Sequence, residues 1–175
     1  MTIPNTHVFT EHDNTVSTQE STVFAEPYSK TIITRWADMD PNQHLRGTAY
    51  GDWAGFVQGE WLKAHGFDLV KLSRSNVGPV NFEENTKYFS EIMLGEHITI
   101  GLQLVGLNHD GSRYHMRHTF RRDGAICAVH EVKGAWFNTT SRRICPPPSD
   151  LFEAMTNIVR ADDYAEIISS RGRGD

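Results

Sequence analysis

Residues 35–50 read RWADMDPNQHLRGTAY, and the fold turns on how this stretch is parsed. Just before and into it, Thr31-Ile32-Ile33-Thr34 is β-branched throughout, as a strand prefers. Asp38 and Asp40 follow two residues apart, and Pro41 drives Asp40 into extended backbone and stops the strand pattern. Asn42-Gln43-His44 then makes a polar turn, and Gly47-Thr48 opens a helix. The first N–H groups of a helix have no partners of their own. A carboxylate on a turn pointing at them suits acyl chemistry. The N–H groups and the helix dipole polarise a carbonyl, while the carboxylate attacks it or activates water.

Working outward, Tyr50, Trp53, Ala54, Val57 and Trp61 recur at three- and four-residue spacing, the stripe of a helix with one buried face. Gly66 after His65 marks its stop. Gly47, Gly51, Gly55 and Gly59 repeat along the same helix every fourth residue. An interior glycine costs a helix roughly 1 kcal/mol relative to alanine. The row therefore predicts a close approach by backbone or ligand, with the helix wrapped by a sheet.

Beyond Gly66 the chain turns to strands. Val77 to Phe89 is β-rich but irregular. From His97 to Leu107, Ile98, Ile100, Leu102 and Leu104 alternate with Thr99, Gly101 and Gln103. Asn108-His109-Asp110-Gly111 carries one Asp-Gly turn and Asp123-Gly124 a second. Between them Tyr114, Met116, His118 and Phe120 oppose Arg113, His115, Arg117 and Arg121. A last long strand spans Ala125 to Phe137. Cys145-Pro146-Pro147-Pro148 closes the sheet, and Ser149-Asp150 is placed to cap a short helix from Leu151 to Ile158. The expectation is an α+β domain in which one helix covers the apolar face of a long antiparallel meander.

Composition narrows the function classes. A chain of 175 residues, 38% hydrophobic and 22% charged, is large enough for one packed core. A net charge of −5 argues against non-specific nucleic-acid binding. No apolar run approaches the roughly 20 residues of a membrane span. The polar start lacks the pattern of a secretory signal. Cys127 and Cys145 make neither a disulfide framework nor a CxxC pair, which fits a reduced, cytoplasmic setting. His115 and His118 lie three apart on a strand and face opposite sides, so they do not chelate together, and no metal is expected. Residues 1–27, rich in Thr, Ser, Asn and Glu, read as a flexible arm, and residues 141–175 as a Pro-rich segment, short helix and tail. The tripeptide Arg173-Gly174-Asp175 carries no weight in a cytoplasmic protein.

The D-x-D-P turn, the glycine-rich helix and the meander together resemble the hotdog fold. More closely, the window Asp38 to Tyr50 is similar to the 4-hydroxybenzoyl-CoA thioesterase/YbgC-like family, whose pattern is roughly D-x-D-x-x-G-H-x-N-N-x-x-Y. Asp40, His44 and Tyr50 fall in register. Downstream, residues 81–96 (NFEENTKYFSEIMLGE) are similar to that family's second strand and its turn. Two departures stand out: Gln43 replaces the glycine before His44, and Arg46-Gly47 replaces the Asn-Asn pair.

The resemblance implies hydrolysis of an acyl-CoA thioester, with coenzyme A present as part of the substrate and no separate cofactor. It implies Asp40 as nucleophile or general base and Gly47 as a backbone N–H donor to the thioester oxygen, with His44 beside them. It further implies substrate contacts from Tyr50, Arg46, Gln43 and Thr48, although Tyr50 also fits the core stripe. Arg46 and Gln43 point to an altered acyl group, one bearing a carboxylate among them, or to a silent member. Asp52 and Glu60 rank behind Asp40 as catalytic carboxylates. Arg113, Arg117, Arg121, Arg122 and Lys87 are the cations available for the nucleotide's phosphates. The family also implies a homodimer joined edge to edge, with tetramers as a further level. A hotdog (de)hydratase and a non-catalytic acyl-thioester binder are the alternative readings.

Overall fold

The computed structural model describes residues 27–168. The expected N-terminal arm lies outside the described residues but for Pro27, as do the last seven residues of the tail with the Arg-Gly-Asp tripeptide. In chain order the elements are β1 (Tyr28–Ile33), a 3-10 turn (Trp36–Asp38), α1 (Gly47–Ala64), α2 (Leu69–Arg74), β2 (Val77–Tyr88), β3 (His97–Leu107), β4 (Arg113–Arg122), β5 (Ala125–Asn138), β6 (Arg143–Ile144), α3 (Ser149–Thr156) and β7 (Arg160–Glu166). The strands form one sheet in the order β1-β3-β4-β5-β2, with β6 beside β5 and β7 beside β3. Every pairing is antiparallel except that of β7 with β3. This is the hotdog architecture, α+β and a single domain, with α1 inside the curl of the sheet.

The helix is where its stripe predicted. Tyr50, Ala54, Val57 and Trp61 of the stripe are buried, together with Ala49, Gln58 and Leu62, while Trp53 is only half-buried. They pack into one core with Ile98, Ile100, Leu102 and Leu104 of β3 and with Met116 and Phe120 of β4. Each fully buried Ile or Leu there contributes about 1.5–3 kcal/mol. Gly66 takes φ +80 just after the His65 cap. Its N–H donates to Lys63 O at 3.0 Å and the Phe67 N–H to Leu62 O at 2.8 Å, a Schellman stop with Phe67 and Leu62 both buried.

The glycine row does two different things. A Cβ on Gly47 would meet the Tyr88 hydroxyl at 3.4 Å, and one on Gly51 would meet the Glu84 carboxylate at 3.3 Å. Gly55 and Gly59 face open space. Close approach therefore holds only for the helix's first two turns, where β2 crosses it.

The alternation in β3 holds through Leu104 and then breaks at a bulge before Gly106, after which Val105, Gly106 and Leu107 are all buried. Asp123 and Gly124, at φ +50 and +83, make the tight second hairpin. The irregularity of β2 is a bulge between Asn81 and Glu83.

The third helix starts two residues earlier than expected. Its cap is Pro148, with no side-chain cap, and Asp150 accepts from its neighbour Leu151 N–H instead. Leu151 and Met155 of α3 are buried, and the Trp136 indole N–H reaches Met155 Sδ. Strand β7 continues along β3 beyond the reach of β1.

Candidate active site

The stretch from Met39 to Arg46 folds as a small closed loop. Met39 bridges Leu45, the Asp40 N–H donates to His44 O at 2.8 Å, and the Gln43 N–H donates to Asp40 O at 3.0 Å. The loop is stitched to its surroundings by Leu45 N–H to Ile92 O and Arg46 N–H to Asp38 O, both 2.8 Å, and by a His44–Met93 bridge. Gln43 closes the turn at φ +67, a left-handed conformation that an L side chain disfavours.

Asp40 does not cap the helix, contrary to the simplest reading of the turn. Its Oδ1 accepts from Asn42 N–H at 2.8 Å and His44 N–H at 3.0 Å, both in the loop itself. Oδ2 has no hydrogen-bond partner among the described residues. One oxygen is thus anchored and the other is left without a partner among the described residues. Asp38 turns the opposite way. It is buried and takes Arg35 in a bidentate pair, Oδ2 to Nε and Oδ1 to Nη2 at 2.9 Å each. The Arg35 hydrogen bond holds its carboxyl below the usual carboxylate value of 3.8. The two aspartates therefore divide the labour, Asp38 fixing the turn and Asp40 facing outward.

A cleft of about 500 Å³ brings together Asp40, His44, Gly47 and Tyr50 with Tyr88, Ser90 and Glu91 from the end of β2 and the loop after it. The start of α1 opens on this cleft. No side chain caps it and no acidic residue sits in its first turn. The Gly47 and Thr48 N–H groups have no acceptor among the described residues, so they remain available as donors. Tyr50 is both wall and core: it is buried, edge-on to Tyr88 with ring centroids 5.0 Å apart, and burial pushes its hydroxyl up to about 12.

The remaining expected residues are dispersed. Gln43 lines a second cleft of about 810 Å³ that Asp40 also borders, with Trp36, Met39, Pro41, Met93 and Leu94. Arg46 is engaged by Asp52 at 3.1 Å, by Ala37 O and by the Thr48 hydroxyl, so its charge is neutralised away from both clefts. That pairing also occupies Asp52, while Glu60 is paired with Lys30 and Lys63. Sequence reasoning drew no site residue from residues 88–94. The segment NFEENTKYFSEIMLGE carried the signal, but which of its side chains turn to the loop depends on how β2 ends.

Two histidines lie under the helix. His118 is fully buried, and neither ring nitrogen has a partner among the described residues. Burial, reinforced by the neighbouring His130, pushes it down to about 3. His130 is held by the Thr86 hydroxyl at 2.8 Å, and burial lowers it too. Among the described residues no group of three or more His, Cys, Asp or Glu is placed to hold a metal ion, and no helix is long and apolar enough to cross a membrane.

This fold belongs to a known class. The family model described as the Thioesterase-like superfamily matches residues 34–155, and the chain belongs to that superfamily. Among solved structures it is similar to a hypothetical protein from Staphylococcus aureus in complex with CoA, at 21% identity and TM-score 0.70, covering 83% of this chain and 90% of that one. A gentisyl-coenzyme A thioesterase aligns at 19% identity and TM-score 0.64, over 74% of this chain and 99% of that one. A 1,4-dihydroxy-2-naphthoyl-CoA thioesterase from Synechocystis aligns at 11% and 0.67, over 74% and 96%. At these identities the likeness speaks for the fold. No curated protein matches significantly.

Proposed function

We propose that the protein hydrolyses an acyl-CoA thioester, with Asp40 as the catalytic carboxylate, in the manner of the 4-hydroxybenzoyl-CoA thioesterase/YbgC-like branch. One observation carries this reading: a carboxylate anchored through one oxygen lines the same cleft as Gly47, the first residue of the uncapped helix. A thioester carbonyl oxygen placed at the Gly47 and Thr48 N–H groups has its carbon polarised toward Asp40. Acting as base, Asp40 takes a proton from water as the hydroxide attacks the carbonyl carbon. The tetrahedral oxyanion collapses, the C–S bond breaks, and the departing thiolate is protonated. Acting as nucleophile, Asp40 forms a mixed anhydride and expels the thiolate, and water then cleaves the anhydride. Both routes need no metal and no redox partner. The names of the CoA-bound and CoA-thioesterase neighbours support the choice of a CoA ester.

For the nucleotide end, Arg117 is committed to Glu131 and Asp163, and Arg122 to Glu96. Lys87, exposed and with no ion pair among the described residues, is our choice for a phosphate contact. Strand β2 is the natural seam for a homodimer. Among the described residues it pairs only with β5, and Phe82, Tyr88 and Phe89 stand exposed along it.

The test is thiol release from a panel of short, long, aromatic and acidic acyl-CoAs, comparing wild type with Asp40→Asn. Release by wild type that is lost in a folded variant supports the reading. Binding of CoA esters with no release by wild type replaces it with a silent binder, and water addition to an enoyl-CoA replaces it with a hydratase.

A further inference from the structure

Asp40 borders two clefts of unlike chemistry, and we infer from this what the acyl group is. One cleft presents the helix start, two tyrosines, Ser90 and Glu91. The other, larger one is bounded by Trp36, Met39, Pro41, Gln43, Met93 and Leu94. Its volume of about 810 Å³ falls in the range of small-molecule sites, and its lining is apolar apart from Gln43 and Asp40 itself. A thioester reacting at Asp40 extends one arm to either side. The amide-bearing arm of the thiol suits the polar cleft. The structure assigns the apolar cleft to the acyl group: a medium-length hydrocarbon chain, without a carboxylate.

The charge pattern selects against an acidic acyl group. The charged side chain in the apolar cleft's lining is Asp40, so a second carboxylate there would meet a like charge and no cation. Arg46, which in the sequence suggested an acidic acyl group, is bound to Asp52 instead. The apolar surface is also unusually open for residues so close to a catalytic turn: Trp36 is 81% exposed, Leu94 48% and Met93 38%. Its backbone floor is nevertheless fixed. The Met93 N–H donates to Glu96 Oε2 at 3.0 Å, the Thr34 hydroxyl donates to Met93 O, and Arg122 holds Glu96. A pre-formed apolar cleft continuous with the reacting carboxylate is what a flexible hydrocarbon chain fills, and thioether side chains adapt to its length.

This inference rests on the hydrolytic reading for its choice of acyl-CoA as probe, and its test does not need turnover. Full-length Asp40→Asn, whose amide oxygen can still accept from Asn42 and His44, is titrated calorimetrically with acetyl-, butyryl-, octanoyl- and glutaryl-CoA. The expected result is octanoyl-CoA binding at least about tenfold tighter than acetyl-CoA, from apolar area removed from water, with glutaryl-CoA no tighter than butyryl-CoA. Octanoyl-CoA also shifts tryptophan emission to the blue, and Trp36→Phe abolishes the shift. Trp36→Ala with Met93→Ser lowers the octanoyl-to-acetyl affinity ratio at least about fivefold.

A flat series, tightest binding of glutaryl-CoA, or no CoA-ester binding overturns the inference. So does a Trp36 emission that follows protein dilution rather than ligand, which would put a second copy of the chain in the cleft. Length-dependent binding without thiol release by wild type sinks the hydrolytic reading and leaves the apolar cleft standing. Thiol release with no length preference does the reverse.

Discussion

Asp40 and His44 exchange hydrogen bonds in opposite directions: the His44 N–H donates to Asp40 Oδ1 at 3.0 Å, and the Asp40 N–H donates to His44 O at 2.8 Å. The catalytic candidate is therefore locked by backbone, and its imidazole neighbour contributes through its main chain. Asp40→Asn keeps an oxygen acceptor for Asn42 and His44 while losing the charge. We expect thiol release to fall at least about a hundredfold with little change in melting temperature. Asp40→Ala also loses the acceptor of both hydrogen bonds and should unfold earlier, by about 1–2 kcal/mol. Thiol-release assays and thermal melts on the two variants separate chemistry from scaffolding.

Asp38, two residues away, is expected to matter for stability. Asp38→Asn breaks the bidentate pair with Arg35, whose side chain is 63% exposed, so that solvent screens part of the interaction. The variant should melt at a lower temperature than wild type at neutral pH. Because Arg35 holds the folded carboxyl below 3.8, the stabilisation is present above that value and fades as pH falls through the lower folded one. Denaturant melts at pH 7 and near pH 3 should show the gap between wild type and variant closing in acid.

His118 sets an acid sensitivity of the opposite chemical kind. In the folded core it stays neutral down to about 3, whereas an unfolded chain protonates it below its ordinary 6.5. The unfolded state thus binds more protons in that window, and stability drops as pH falls below 6.5, by up to about 1.4 kcal/mol per pH unit. His118→Leu removes both unpaired nitrogens. It should be neutral or stabilising at pH 7 and should flatten melting temperature against pH between 6.5 and 4.5. An unchanged slope would contradict this account.

Gln43 carries backbone strain in the loop that holds Asp40, at φ +67. Gln43→Gly should relieve it. Since glycine gives back part of the gain as unfolded-state entropy, the net increase should be about 0.5–1 kcal/mol. Thermal and urea melts measure it directly. A loss of stability would show that the Gln43 side chain makes contacts worth more than the strain.

Much of this fold can be read from local pattern. The stripe from Tyr50 to Trp61 and the alternation from Ile98 to Leu104 have one geometrical reading each, because a helix repeats every 3.6 residues and a strand every 2. The turns at Gly66 and Asp123-Gly124 are legible because so few residues tolerate positive φ. Helix α2 is too short to show a period, and β7 is a strand only by virtue of its place beside β3. The bulge in β3 was hidden for the same reason: it answers to what lies over Gly106, where Ala165 O would stand 2.9 Å from a Cβ.

The candidate site divides along the same line. Contiguity alone makes an aspartate, a tight polar turn and a helix start neighbours, since chain geometry leaves them no choice. Which partner each side chain takes was set by packing in three dimensions. Asp38 turned to Arg35, Arg46 turned to Asp52, and Asp40 kept one open oxygen between a polar and an apolar cleft. Ion pairs and clefts form between groups from separate segments, and their partners are chosen by packing, on which residue order along a strand or helix is silent.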